Sequence, residues 1–298
     1  MTQIEIAHKL IDEAQQLVNV KPKLFGLIDS NNSKRKAHDK FIIAGEIYKK
    51  LGENEKAKEA YISAASITEN SFKDYNLAIK EYELAHSCHS GTDSDFDLSF
   101  FTHAVEICFK ICDMKRAEEY LESAESNLNR FKIDISRVCE YYEKIINSYV
   151  DNIKKDDING FLYKYRFKHA ESLFTLHKHQ RAIEIFRNII VTNNEKNGDK
   201  ELTERCCVYA CLIVIIWFKA EYIQQYIKKV CELSRDFEYG EQYSIIKRIL
   251  ESLKNKDYED VEDAGLNIDE ENIKLFNKRA KNKMEALCQS TNDLLNID

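Results

Sequence analysis

The densest groups of ligating side chains are His86-Ser87-Cys88-His89 and Cys206-Cys207-x3-Cys211. Thiolates and imidazoles hold a structural zinc when two ligand pairs recur at fixed spacing, as in CxxC followed by HxxxH. Neither group has that spacing, and the two lie far apart in the chain. Cysteine also packs as a small hydrophobe. The cysteines therefore read as core and the histidines mostly as solvated turn residues, with no metal site. No GxxxxGK[ST] or GxGxxG loop occurs, so no backbone cradle for nucleotide phosphates is expected. Nothing in the spacing points to a cysteine paired with a histidine as nucleophile and base. The expectation is a non-enzyme with no catalytic residues and no cofactor.

The remaining chemistry is charge and apolar surface. Lys34, Arg35, Lys36 and Lys40 cluster early in the chain. Lys164, Arg166, Lys168 and Arg181 form a second basic group, with His169, His177 and His179 nearby. Solvated helix faces and a groove for an anionic partner both fit these groups. Asp257–Glu271 carries eight acidic side chains and no basic ones, which suits a solvated stretch or a dock for a basic partner. Between Pro22 and Ser33 a loop-like segment carries Leu24, Phe25, Leu27 and Ile28. These apolar residues either tuck onto the first hairpin or form an exposed tip at a membrane interface, with Lys23 and Lys34–Lys36 facing anionic lipid.

The elements that position these groups must be helices. The chain has 298 residues but only one proline, Pro22, and eight glycines. Average usage would supply about 15 prolines and 20 glycines. Those residues punctuate turns and break helices, so helix should follow helix, and sandwiches, barrels and most Rossmann-type sheets are excluded. A net charge of −7 argues against a general nucleic-acid binder. The longest apolar run, Val208–Phe218, is too short to span a bilayer and reads as a buried core helix. The first residues lack the pattern of a secretory signal, and nine cysteines then imply free thiols in a reducing, cytoplasmic compartment.

A small/large/small triplet recurs along the chain. It occurs at Ala57, Tyr61, Ala64; at Ala78, Tyr82, Ala85; at Ala117, Leu121, Ala124; at Val138, Tyr142, Ile145; and at Ala182, Phe186, Ile189. Leu98, Thr102, Val105 is a weaker copy. Residues four and seven apart share a helix face. Most steps are near 20 residues, one helix plus its turn. The step from 138 to 182 is double and contains one degenerate helix. Hairpins of about 40 residues, against 34 in a standard tetratricopeptide unit, predict a tetratricopeptide-like array stacked to bury its apolar faces. Arg205–Leu233 reads as two helices, Tyr243–Leu253 as an amphipathic helix and Asn272–Leu287 as a last one. The expected organisation is a solenoid over residues 1–235 and a C-terminal helical bundle with its tail over 236–298.

Several stretches, in order, resemble the soluble NSF attachment protein (SNAP) family. They are the helix Ile6–Val18 with its Glu13-Ala14-Gln15-Gln16-Leu17, then Lys23-Leu24-Phe25-Gly26, then Phe41–Tyr48 and Lys58–Ala65. His179–Phe186, Tyr243–Glu251 and the tail Leu294-Leu295 complete the series. The motifs fit alpha-type and gamma-type members alike. The resemblance implies an all-α, right-handed superhelix of antiparallel hairpins with a C-terminal bundle. It implies an adaptor that wraps a SNARE four-helix bundle and recruits an NSF-type AAA ATPase to disassemble it, peripheral on endomembranes. Arg137, Lys168 and Arg181 match basic residues that grip the SNARE bundle, and Lys34 and Arg35 extend the basic face. Leu24, Phe25, Leu27 and Ile28 match the membrane-contacting loop. Glu251, Asp293, Leu294 and Leu295 match the ATPase-contacting end. There the sequence departs from its relatives, because Lys254, Asn255 and Lys256 follow Glu251 where an acidic run is usual. The competing reading is a generic tetratricopeptide-type scaffold or co-chaperone that binds other protein partners.

Overall fold

The computed structural model describes residues 2–19, 30–88, 98–153, 160–196, 198–255, 266 and 268–295, with side chains for all of these but Ser30, Ala220, Glu221 and 286–295. Every regular element among them is a helix. The series runs α1 (Gln3–Val18), α2 (Ser30–Lys50), α3 (Asn54–Ile67), α4 (Tyr75–His86), α5 (Ser99–Lys110), α6 (Met114–Phe131) and α7 (Ile135–Asn152). It continues with α8 (Gly160–Thr175), α9 (His179–Glu195), α10 (Lys200–Trp217), α11 (Ala220–Leu233), α12 (Arg235–Glu238), α13 (Glu241–Lys254) and α14 (Glu270–Leu295). The all-α hairpin architecture expected from the sequence is the one present.

Local chemistry starts these helices. Thr2 and Glu5 form a capping box on α1, each side chain accepting from the other's backbone N–H. Asp74, Asp113 and Asp199 cap α4, α6 and α10, their carboxylates accepting from the backbone N–H of Leu77, Arg116 and Leu202.

One turn recurs between hairpin helices. After α2, α5 and α8 the chain passes through a left-handed residue: Gly52 (φ 75°), Cys112 (φ 56°) and His177 (φ 60°). In each case the next N–H reaches back five residues, from Glu53 to Tyr48 O, Asp113 to Cys108 O and Lys178 to Leu173 O. The small residue of the following helix stands five positions after the left-handed one, at Ala57, Ala117 and Ala182, all fully buried. Lys73 (φ 58°) and Ala78 repeat this offset after a single π-helical turn, Thr68–Phe72. The turn therefore sets which face of the next helix meets the previous one, and the triplet records that face.

The chain divides into two compact units, one made of Met1–Asp134 with Asn147–Lys154, the other of Ile135–Ile146 with Lys155–Asp298. In the first, each helix from α1 to α6 packs on its neighbour in sequence. In the second, α9, α11, α13 and α14 all pack against α10, with α8 on α9. That central place explains the apolar run, since every residue from Cys206 to Ile215 is buried. The expected boundary after residue 235 falls in α12, and the core that includes Phe186 and Tyr209 also includes Ile246, Phe276 and Ala280.

Three expectations shift. Val138 is half-buried, unlike the other leading members of the triplets. The degenerate helix is α8, which buries most of its faces and leaves only a narrow polar stripe, Lys164, Lys168, Glu171 and Thr175. The last helix is longer than Asn272–Leu287 and takes in Asp293, Leu294 and Leu295.

Candidate partner-binding faces

Arg137, Lys168 and Arg181 all belong to the second unit. Arg137 is exposed near the start of α7, Lys168 is half-buried on α8, and Arg181 is exposed in the first turn of α9. Arg181 donates to Glu143 on α7, and that bond holds the Glu143 carboxyl below its usual range. Arg181 thus has an internal acidic partner on α7. An exposed ion pair of this kind contributes about 0–1 kcal/mol.

The histidines do not extend this positive charge. His169 is 4% exposed rather than a solvated turn residue. Burial outweighs the attraction of Glu143 and, with Arg181 and Lys178, pushes it down to about 4. Burial, then Arg279 and His177, push His179 down to about 4 as well. Both are neutral at physiological pH. His177 is exposed and serves as the left-handed turn residue.

In the first unit, α2 carries Lys34, half-buried, and Arg35, exposed. Lys40, from the same sequence cluster, instead reaches Glu13 of α1 at 2.5 Å. His38 bonds through Nε2 to Glu81 of α4 at 2.6 Å, and this bond raises its pKa despite burial. Leu24, Phe25, Leu27 and Ile28 lie outside the described residues.

The cysteine and histidine groups resolve into packing. His86 stacks on Phe100 and meets Phe101 edge-on, while the Cys88 thiol donates to Leu84 O. Cys206, Cys207 and Cys211 are fully buried, and burial pushes their thiols well up. His89 lies outside the described residues. Among the described residues no three His, Cys, Asp or Glu side chains gather as metal ligands would.

At the C-terminal end, Glu251 is exposed on α13. Asp293, Leu294 and Leu295 belong to the last turn of α14. Close to the start of α14 lies a polar node with no sequence signature. Glu171 of α8, with 16% of its side chain exposed, accepts from Tyr209 Oη at 2.7 Å and from Arg205 at 3.3 Å. Asn272 donates to the same Tyr209 oxygen at 2.8 Å. Burial, reinforced by Asp269, pushes Glu171 up to about 8 against the pull of Tyr209 and Arg205. The partners are dozens of positions apart in the chain, so spacing could not reveal them.

Antiparallel hairpins that expose charge, with the clustered cysteines Cys206, Cys207 and Cys211 and with His86 and His169 committed to packing, define a helical scaffold. No curated protein matches the chain. Residues 5–273 match the family model of the soluble NSF attachment proteins, SNAP, and the chain belongs to that family. Among the described residues no helix is long and apolar enough to cross a membrane.

Proposed function

We propose that this chain is an adaptor that binds assembled SNARE four-helix bundles at membranes and recruits and stimulates an NSF-type AAA ATPase. It takes no catalytic part, holds no cofactor, and works in the cytoplasm, peripheral on endomembranes. The observation that carries the reading is the family match over residues 5–273. Arg137, Lys168 and Arg181, with Lys34 and Arg35, attract the acidic surface of the bundle. Such attraction governs on-rate and register and weakens with salt. Leu24, Phe25, Leu27 and Ile28 contact the membrane. That second attachment raises effective concentration without adding contacts to the bundle. Residues 236–298 act as the ATPase-facing part, through Glu251, Asp293, Leu294 and Leu295.

The test is capture of a preassembled SNARE bundle by Arg137→Glu plus Arg181→Glu at physiological salt. Capture should be abolished with helicity unchanged. Wild-type capture by this variant would reject the basic face. Replacing Phe25 and Leu27 by Ser should lower binding on liposomes and leave binding to the soluble bundle intact.

A further inference from the structure

α14 meets the ends of two other helices of its unit. A helix C-terminus leaves four carbonyls without intrahelical donors and concentrates negative partial charge there. α8 ends at Thr175 and α10 at Trp217. Arg279 places Nη1 3.2 Å from Phe174 O and Nη2 3.3 Å from Thr175 O. Its guanidinium also lies over the Phe174 ring, 5.2 Å from the centroid. Lys283, one turn further on, donates through Nζ to Ile215 O and, at 2.5 Å, to Phe218 O. Among the described residues the partners of both cations are helix-end carbonyls, of which that of Phe174 also accepts from the His177 N–H at 3.2 Å. Each is only partly exposed, and burial lowers the pKa of Lys283.

The first turn of α14 is fixed as well. Asn272, 8% exposed, donates to Tyr209 Oη and accepts from Thr175 Oγ1 at 3.2 Å. Thr175 is thus held through its carbonyl by Arg279, while its hydroxyl shares its proton between Glu171 O at 3.0 Å and Asn272 Oδ1. Between these contacts Ile273, Phe276 and Ala280 supply the buried apolar face. An apolar face alone lets a helix step by a turn along its partner. Directional bonds to two helix ends do not, because a one-turn step would strand both cations away from their carbonyls.

We propose that Arg279 and Lys283 are positioning residues: by capping α8 and α10 they fix the register of α14, and with it the presentation of the segment bearing Asp293, Leu294 and Leu295. The assignment rests on reading that segment as the ATPase-contacting end. The capping itself stands apart from that reading, so the two can be tested separately.

The experiment compares the full-length wild type with Arg279→Met, Lys283→Met, the double variant and Arg279→Lys. Ile213→Val serves as a core control, compared at matched distance below its melting temperature. Amide exchange across α14 is measured on each protein alone. Capture of a SNARE bundle and stimulation of the ATPase are measured on the same preparations. Each cation removed should speed exchange in α14 by about tenfold. Capture should stay at wild-type level while stimulation falls severalfold. Arg279→Lys, which keeps the charge and one donor, should recover part of it, and Ile213→Val should keep it. Unchanged exchange in α14 of the double variant would overturn the capping role. Freed α14 with unchanged stimulation, or loss in the core control equal to that in the cation variants, would overturn the positioning role. Should the double variant fail to fold, the single variants carry the same comparison. If the wild type itself gave no stimulation, the ATPase contact would fall, and the exchange contrast alone would then decide whether the two cations set the register.

Discussion

The stretch α1 to α3 of the first unit and the core around α10 of the second bury apolar surface in different ways. In the first, α1 to α3 meet through small residues: Ala7, Ala14, Ala37, Ala44, Ala57 and Ala64 are fully buried. Gly45 lies beneath the Tyr61 ring, where a Cβ would stand 2.9 Å from Cε1. The resulting clusters are small and local, such as Ala14, Ala37, Phe41, Ala64 and Ile67. In the second, one cluster gathers Phe167, Phe174, Phe186, Tyr209, Phe237 and Phe276 around α10. Their buried carboxylates differ too. Glu69 of the first unit accepts from Lys110 at 2.5 Å and from Tyr82 at 3.1 Å. Glu171 of the second faces Asp269 as well as Arg205, and burial wins. The first unit is a ladder whose rungs bear on their neighbours, so damage should stay local. The second acts as one piece, and its C-terminal helices share its fate.

The largest expected effect tests that contrast in packing. Phe186→Ala empties part of the α10 core and should cost about 3–5 kcal/mol. Amide exchange should rise together in α8, α9, α10 and α14 and stay unchanged in α1 to α3. An equal rise in both units would remove the distinction.

The second effect concerns pH. A folded carboxyl whose pKa is raised binds more protons than the unfolded chain, so stability is lost as pH rises from about 4.5 towards about 8. His169 and His179, both near 4 when folded, act with the opposite sign and lose stability as pH falls below about 6.5. Above that value Glu171 acts without their opposition. Denaturant titrations of the second unit should therefore show stability falling between pH 6.5 and 8, by at most about 2 kcal/mol. Glu171→Gln should flatten the fall. A wild type whose stability is level across this window would contradict the assignment. His38 of the first unit, raised by Glu81, also loses its contribution as pH rises, through its own higher folded pKa. His38→Gln should flatten that part alone.

A smaller effect concerns binding. Glu143→Gln releases Arg181 and should tighten capture of an acidic bundle by about two- to fivefold at low salt, the range of an exposed ion pair. Weaker capture would mean that Glu143 orients Arg181 rather than competing for it. The smallest effect should be the same in both units, because it is local. Cys112→Gly and His177→Gly trade the strain of a left-handed residue for greater freedom in the unfolded chain, so each should change stability by no more than about 0.5 kcal/mol. Gly52→Ala gains strain that outweighs the freedom it removes from the unfolded chain and should cost about 1 kcal/mol. Thermal melts of the three variants measure this.

These turns also show what could be read from the sequence. The scarcity of proline and glycine announced the helices, and the alanine-led triplets marked the faces that pack. At Gly52 the residue type itself suits the left-handed turn. Cys112 and His177 hold the same conformation without glycine's signature, and only the five-residue offset to Ala117 and Ala182 betrays them. α8 had no readable period because it has little solvent face. The basic residues were visible as composition. Their neutralisation was not, because Glu143 lies 38 residues from Arg181 and the burial of His169 is set by the fold. Arg279 and Lys283 carry no local signature of their role, since nothing near them in the sequence tells that the ends of α8 and α10 meet α14.

The central claim is that this family member couples a SNARE bundle to an ATPase. Its most direct test is the rate of ATP hydrolysis by a purified NSF-type ATPase, with a preassembled SNARE bundle, with and without this chain. Rapid hydrolysis is expected only when bundle and chain are both present. A folded, helical protein that neither binds a cognate bundle nor raises that rate would contradict it.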